Sequence, residues 1–88
     1  MRSYKLELSH QAERVLRRIA KKEPVLYQCL ANALDDLECD PFQGKPLKGR
    51  LKGRYSLRVG EYRILYCIHR RHLLVIVIDV GHRRDIYR

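Results

Sequence analysis

Arg63 is the residue whose type conflicts most with its surroundings. It lies among Tyr62, Ile64, Leu65, Tyr66 and Ile68, a run of apolar and aromatic side chains that reads as a strand. An arginine inside such a strand either pairs with a buried acid, for which Glu61 and Asp79 are the candidates, or faces a site on the open side of a sheet. Just upstream, Arg54 and Arg58 alternate with Tyr55, Leu57 and Val59. That alternation puts the two arginines on one strand face and favours a multi-arginine clamp for phosphate.

A second group with chemical potential is His82-Arg83-Arg84, followed by Tyr87 and Arg88. Gly81 permits a sharp exit from the preceding strand, after which these side chains can fold back over the sheet edge. Cleaving a phosphodiester without a metal needs a group to deprotonate the 2′-hydroxyl, positive charge on the developing dianion, and a donor to the leaving oxygen. Arginines supply the second and can supply the third; Tyr87 or His82 suits the first or the third. The competing reading is a solvated tail, the usual fate of terminal charge clusters. Ile86 and Tyr87 are apolar enough to dock instead.

Other chemistries lack their residues. The chain has no D-x-D, H-E-x-x-H or P-loop pattern and no carboxylate cluster suited to Mg²⁺. His69 and His72 stand three apart in a predicted turn and make a poor metal pair. Cys29, Cys39 and Cys67 are odd in number and without a C-x-x-C pair, so neither a disulfide framework nor a zinc site is expected. No metal or other cofactor is expected. RNA is then the natural substrate, because it carries its own nucleophile.

Charge points the same way. Residues 1–40 hold seven Lys/Arg against seven Asp/Glu, while residues 41–88 hold twelve against three, which accounts for the net charge of +9. Lys45, Lys48, Arg50, Lys52, Arg54 and Arg58 follow one another with no acid between them. Such asymmetry marks a surface built to meet a polyanion, or to be covered by an acidic partner. The longest apolar run, Leu73 to Ile78, is six residues, far short of the roughly 20 that span a bilayer. The start of the chain has no signal-peptide pattern, and a cytoplasmic protein without a membrane segment is expected.

The elements that must position these residues are legible in outline. Tyr4, Leu6 and Leu8 alternate with Lys5 and Glu7 as a short strand, and Ser9 is a fair helix cap. Ala12, Val15, Leu16, Ile19 and Ala20 recur at helical spacing; after Pro24, Leu26, Leu30, Ala33, Leu34 and Leu37 do so again, up to Asp40-Pro41. The glycine-rich segment 42–53 reads as a basic loop. Three strands follow: one around Tyr55–Val59, a second over Tyr62–Ile68, and a third over Leu73–Val80, expected to be central. The predicted class is α+β, a single domain over 1–88 in the order β-α-α-β-β-β. A twisted, mostly antiparallel four-stranded sheet would carry a helical hairpin on one face.

Three segments in order, Pro46-Leu47-Lys48-Gly49, then Tyr55 to Tyr66, then Val80-Gly81-His82-Arg83-Arg84-Asp85-Ile86-Tyr87, resemble the RelE toxins of the RelE/ParE superfamily. The likeness extends over essentially the whole chain. It implies a type II toxin that cleaves mRNA in the ribosomal A site without metal. Its partners would be mRNA, a 70S-type ribosome, and an acidic RelB-like antitoxin wrapping the basic surface. By resemblance Arg63 matches the arginine that stabilises the transition-state phosphate. Arg83 matches an arginine assigned to the leaving group or phosphate, and Tyr87 a tyrosine that stacks on or orients the nucleotide. Arg58 and His82 complete the candidate catalytic set, with Lys48, Lys52, Arg54 and Arg84 as RNA contacts. In one respect the chain departs from the family. Well-studied members carry two lysines on the strand before the Tyr-Arg motif, one proposed as general base, whereas this strand reads Arg54-Tyr55-Ser56-Leu57-Arg58. Arginine stays protonated, so that role is open, with His82 or Tyr87 the nearest substitutes and Lys52 able to approach only as part of the loop. Two other readings share the fold: a ParE-like toxin that inhibits gyrase by binding, and a non-catalytic RNA- or ribosome-binding protein.

Overall fold

The computed structural model describes residues 3–82. Strand β1 (Lys5–Leu8) leads into helices α1 (His10–Lys22) and α2 (Pro24–Cys39), followed by strands β2 (Lys45–Pro46), β3 (Arg54–Val59), β4 (Tyr62–His69) and β5 (Leu74–His82). They form one five-stranded sheet in the order β1-β5-β4-β3-β2. β1 pairs with β5 in parallel, and the other pairs are antiparallel. The helical hairpin and the α+β order are as expected, but the sheet has five strands rather than four. The additional strand, β2, is two residues long and contains a proline, so it offers no alternation to read. The third long strand, β5, is interior but not central; the middle position belongs to β4.

Ser9 ties α1 to the sheet. Its hydroxyl accepts the Ala12 N–H at 3.0 Å as the helix cap and donates to the Ile78 carbonyl at 2.6 Å. Its own N–H donates to the Val77 carbonyl at 2.9 Å. At that point β5 carries an extra residue: Leu65 pairs with Asp79 but Tyr66 with Val77, leaving Ile78 as a bulge. Before the bulge Val75 and Val77 face the helices, and after it Val80 does. These three pack with Ile64 and Tyr66 against Ala12, Leu16 and Ile19 of α1 and Leu30, Leu34 and Leu37 of α2. Pro24 stands at the first position of α2, where its missing N–H costs nothing.

The segment after α2 is held by one side chain. The buried Tyr66 hydroxyl donates to the Pro41 carbonyl at 2.7 Å and accepts the Gly44 N–H at 3.1 Å. A Cβ at Gly44 would collide with that hydroxyl, so the chain passes there only as glycine. Leu47 N–H donates to the Arg54 carbonyl at 2.9 Å and closes the basic loop beyond β2 and β3. The β3–β4 turn places Gly60 at φ 60, which a glycine accepts freely. The β4–β5 connection is a 3-10 turn over Arg70–His72 that ends with Leu73 in the left-handed region, φ 49 and ψ 50. A leucine there costs about 1–2 kcal/mol. No described helix is long and apolar enough to cross a membrane.

Burial pushes the Tyr66 hydroxyl up to about 12, with the Gly44 N–H offsetting only part of the effect. In the unfolded chain the group would titrate near its ordinary 10. Between those values the unfolded state loses the proton while the folded state keeps it, so stability should fall as pH rises from 10 towards 12. Tyr66→Phe should cost about 1–3 kcal/mol at neutral pH by stripping the Gly44 N–H and Pro41 carbonyl of their partner. The same variant should show a shallower alkaline decline. Thermal unfolding of both proteins at a series of pH values checks the two effects together.

Candidate nucleic-acid interface

The outer face of the sheet, away from the helices, is set by the register of its three long strands. Arg58 stands directly opposite Arg63, Ser56 opposite Leu65, and Arg54 opposite Cys67. On the other side of β4, Arg63 faces Gly81 and Leu65 faces Asp79. Cross-strand partners share a face, so Arg58, Arg63 and Ser56 meet at one end of it, with no side chain at Gly81 to crowd them. Ser56 is 3% exposed, and its hydroxyl accepts from Arg63 Nη1 at 3.3 Å. Arg58 Nε donates to the Gly60 carbonyl at 3.2 Å, which draws its guanidinium towards the turn.

The pairing of Arg63 with Asp79 considered from the sequence does not follow the register. Asp79 is diagonal to Arg63, and its carboxylate accepts the Val80 N–H at 2.8 Å. Opposed like charges on a sheet are destabilising, so an Arg58–Arg63 pair with Gly81 beside it is an arrangement suited to receive an anion. What it can do chemically is bind a phosphate between two guanidiniums and neutralise charge that develops there.

The remaining candidates divide among other places. His82 pairs with Tyr62, one register step from Arg63 and therefore on the helix face. Its ring meets Tyr62 edge to face, with centroids 5.7 Å apart. There it lines a cavity of about 390 Å³ with Val15, Arg18, Ile19 and Lys22 of α1. The structure does not bring His82 together with Arg58 and Arg63. Arg54 shares their face but stands four residues from Arg58, about 13 Å at the usual strand rise. Lys48 and Lys52, both exposed, flank the 3-10 turn Gly49–Leu51 in the loop beyond that same far end. Arg83, Arg84 and Tyr87 lie outside the described residues.

Sequence reasoning missed two features. Ser56 was read only as a polar strand residue, and its link to Arg63 depends on β3–β4 register. Phe42 was placed in a loop, yet it anchors a chain of rings, edge-on to Tyr4 at 6.3 Å and to Tyr55 at 6.2 Å, with Tyr55 stacked on Tyr66 at 5.6 Å. On the outer face the Cys67 thiol lies 3.8 Å from His69 Nε2. Burial raises the thiol's pKa, against the pull of the Arg54 charge. His69 is six residues along β4 from Arg63, about 20 Å away. Among the described residues no three His, Cys, Asp or Glu side chains group as metal ligands.

Comparison with known proteins fits this geometry. Residues 6–87 match the model of the family described as "ParE toxin of type II toxin-antitoxin system, parDE". The toxin RelG of Mycobacterium tuberculosis is 37% identical over 86 residues, which cover 97% of each chain. The toxin RelE of the same organism is 33% identical over 86 residues, covering 97% of this chain and 87% of that one. The crystal structure of the M. tuberculosis toxin–antitoxin complex RelBE2 superposes with a TM-score of 0.82 at 34% identity, covering 97% of both chains. Fold, charge and sequence agree: the chain belongs to the RelE/ParE superfamily and is the toxin of a type II toxin–antitoxin system.

Proposed function

We propose that this toxin is an endoribonuclease that cuts mRNA in the ribosomal A site and so blocks translation. The observation that carries the reading is the cross-strand pair Arg58–Arg63 on the outer face, opposite the bare Gly81 and braced by Ser56. In the reaction the 2′-oxygen attacks the adjacent phosphorus and the bond to the 5′-oxygen breaks. A 2′,3′-cyclic phosphate and a 5′-hydroxyl result. The 2′-hydroxyl proton passes to a base, and a proton reaches the leaving 5′-oxygen. Arg63 and Arg58 stabilise the dianionic phosphorane, Arg83 serves the leaving oxygen, and Tyr87 holds the nucleotide. With His82 turned to Tyr62 on the helix face, Tyr87 is the stronger candidate for proton transfer. Arg54, Lys48, Lys52 and Arg84 would hold the strand through its phosphates.

The partner is a cognate acidic, RelB-like antitoxin. Its support is the net charge of +9 together with the relatives' structures, solved as toxin–antitoxin complexes. An acidic chain over the outer face would neutralise the same arginines that serve RNA. The site is proposed to work in the cytoplasm without metal or other cofactor.

The family model that matches carries the ParE description, which favours as a second reading a toxin that binds DNA gyrase without cleaving nucleic acid. One experiment separates the two. Purified protein is added to translating ribosomes and mRNA ends are mapped by primer extension. Cuts at A-site codons are expected, reduced at least about 100-fold in Arg63→Ala, as when a charge-stabilising donor is removed. Uncut mRNA together with inhibited gyrase supercoiling would transfer the assignment to the second reading.

Ser56→Ala should lower the cleavage rate constant while leaving substrate half-saturation and the melting temperature nearly unchanged, because it removes the acceptor used by Arg63 Nη1 without opening the core. In an Arg63→Ala background the same change should have no further effect. Additive losses would show that Ser56 acts other than through Arg63.

A further inference from the structure

The end of the sheet opposite Arg58 and Arg63 carries a second concentration of positive charge that the proposed reaction does not use. The end of β4 and the turn after it carry His69, Arg70, Arg71 and His72, all exposed. The Arg70 guanidinium lies over the Phe42 ring, 5.1 Å from its centroid. Phe42 remains 42% exposed although it is the only phenylalanine in the chain and packs edge-on against Tyr4 and Tyr55. An exposed aromatic fixed from below by other rings, with a guanidinium on its face, has the form of a stacking platform for an unpaired base. Arg71 and the two histidines beside it suit phosphates. The acid closest in the chain, Asp40, is engaged through Oδ1 by the Phe42 N–H at 3.2 Å. Arg54, on the outer face opposite Cys67, and the loop lysines 48 and 52 lie at this same end.

We infer that Phe42, Arg70 and Arg71 form a second contact for single-stranded RNA, beyond the end of β4 that lies about 20 Å from Arg63. It would hold the RNA away from the reacting phosphate: a base stacks on the Phe42–Arg70 pair, and Arg71 pairs with the backbone. The inference rests on the reading of RNA as the substrate and adds a site to it.

The test uses the full chain and a short, fluorescein-labelled single-stranded RNA with 2′-O-methyl groups, which lacks the nucleophile and therefore reports binding alone. Anisotropy is measured over a range of salt for the wild type, Phe42→Leu, Arg70→Ala and Arg71→Ala. Phe42→Leu keeps an apolar side chain against Tyr4 and Tyr55, and thermal unfolding confirms that each variant is folded. Phe42→Leu and Arg70→Ala should each weaken binding about tenfold, the usual scale for one stacked base. The salt slope should hardly change for Phe42→Leu. Arg71→Ala should weaken binding and lower the slope by about one. Affinities within twofold of wild type in folded variants would overturn the inference, as would variants that keep RNA affinity but lose the antitoxin, which would give the patch to the protein partner. Weakened binding supports the second site even if the wild type proves unable to cut mRNA; that failure would remove the nuclease reading alone.

Discussion

An extra residue in β5 decides which side chains the sheet shows on each face. In an unbroken strand, Val75 and Val77 facing the helices would be followed by Asp79 and Gly81, and Val80 would turn outward. The bulge at Ile78 reverses that alternation. Val80 enters the core, Asp79 leaves it, and Gly81 comes to lie beside Arg63 on the outer face. The carbonyl of the bulged residue is taken up by the Ser9 hydroxyl, which also caps α1. One serine thus fixes the helix start to the irregularity that arranges the site. The rest of the outer face follows from β4, whose residues alternate without interruption between the core and Arg63, Leu65, Cys67 and His69.

The two arginines at the centre of the site are placed at a cost. They are directly opposed, and each guanidinium is drawn aside by a neutral oxygen, the Ser56 hydroxyl for Arg63 and the Gly60 carbonyl for Arg58. A neutral acceptor positions a guanidinium without itself cancelling the charge. An acidic antitoxin could supply that cancellation from outside, which would make inhibition and substrate binding compete for the same charge.

Most of the framework was legible because it rests on short-range rules. Ser9 as a cap, Pro24 at the start of the second helix and the apolar stripes on both helices follow directly from residue type and spacing, and the structure agrees with all three. The strand pattern was legible where polar residues interrupt it, as in Arg54-Tyr55-Ser56-Leu57-Arg58. The strand β5 itself was legible, but its faces were not, because Leu73 to Ile78 are all apolar and a bulge leaves no mark in the periodicity. The shifted register also sends His82 to the helix face with Tyr62. The brief strand β2 and the Tyr66 clamp on Pro41 and Gly44 were hidden for another reason, since both depend on contacts between residues far apart in the chain. Arg63 was found because a charge inside an apolar strand is conspicuous at any register.

The central claim is that RNA is engaged by the outer face through Arg58 and Arg63. It is tested most directly by NMR titration of the ¹⁵N-labelled protein with a 2′-O-methyl RNA, following the arginine side-chain Nε–H resonances together with the backbone. The account predicts saturable shifts of the Arg58 and Arg63 Nε signals and of the Ser56 and Gly81 amides, with the Arg18 Nε signal and the amides of α1 unmoved. Shifts confined to the α1 side around Arg18, Tyr62 and His82, with the Arg58 and Arg63 signals unchanged, would contradict it.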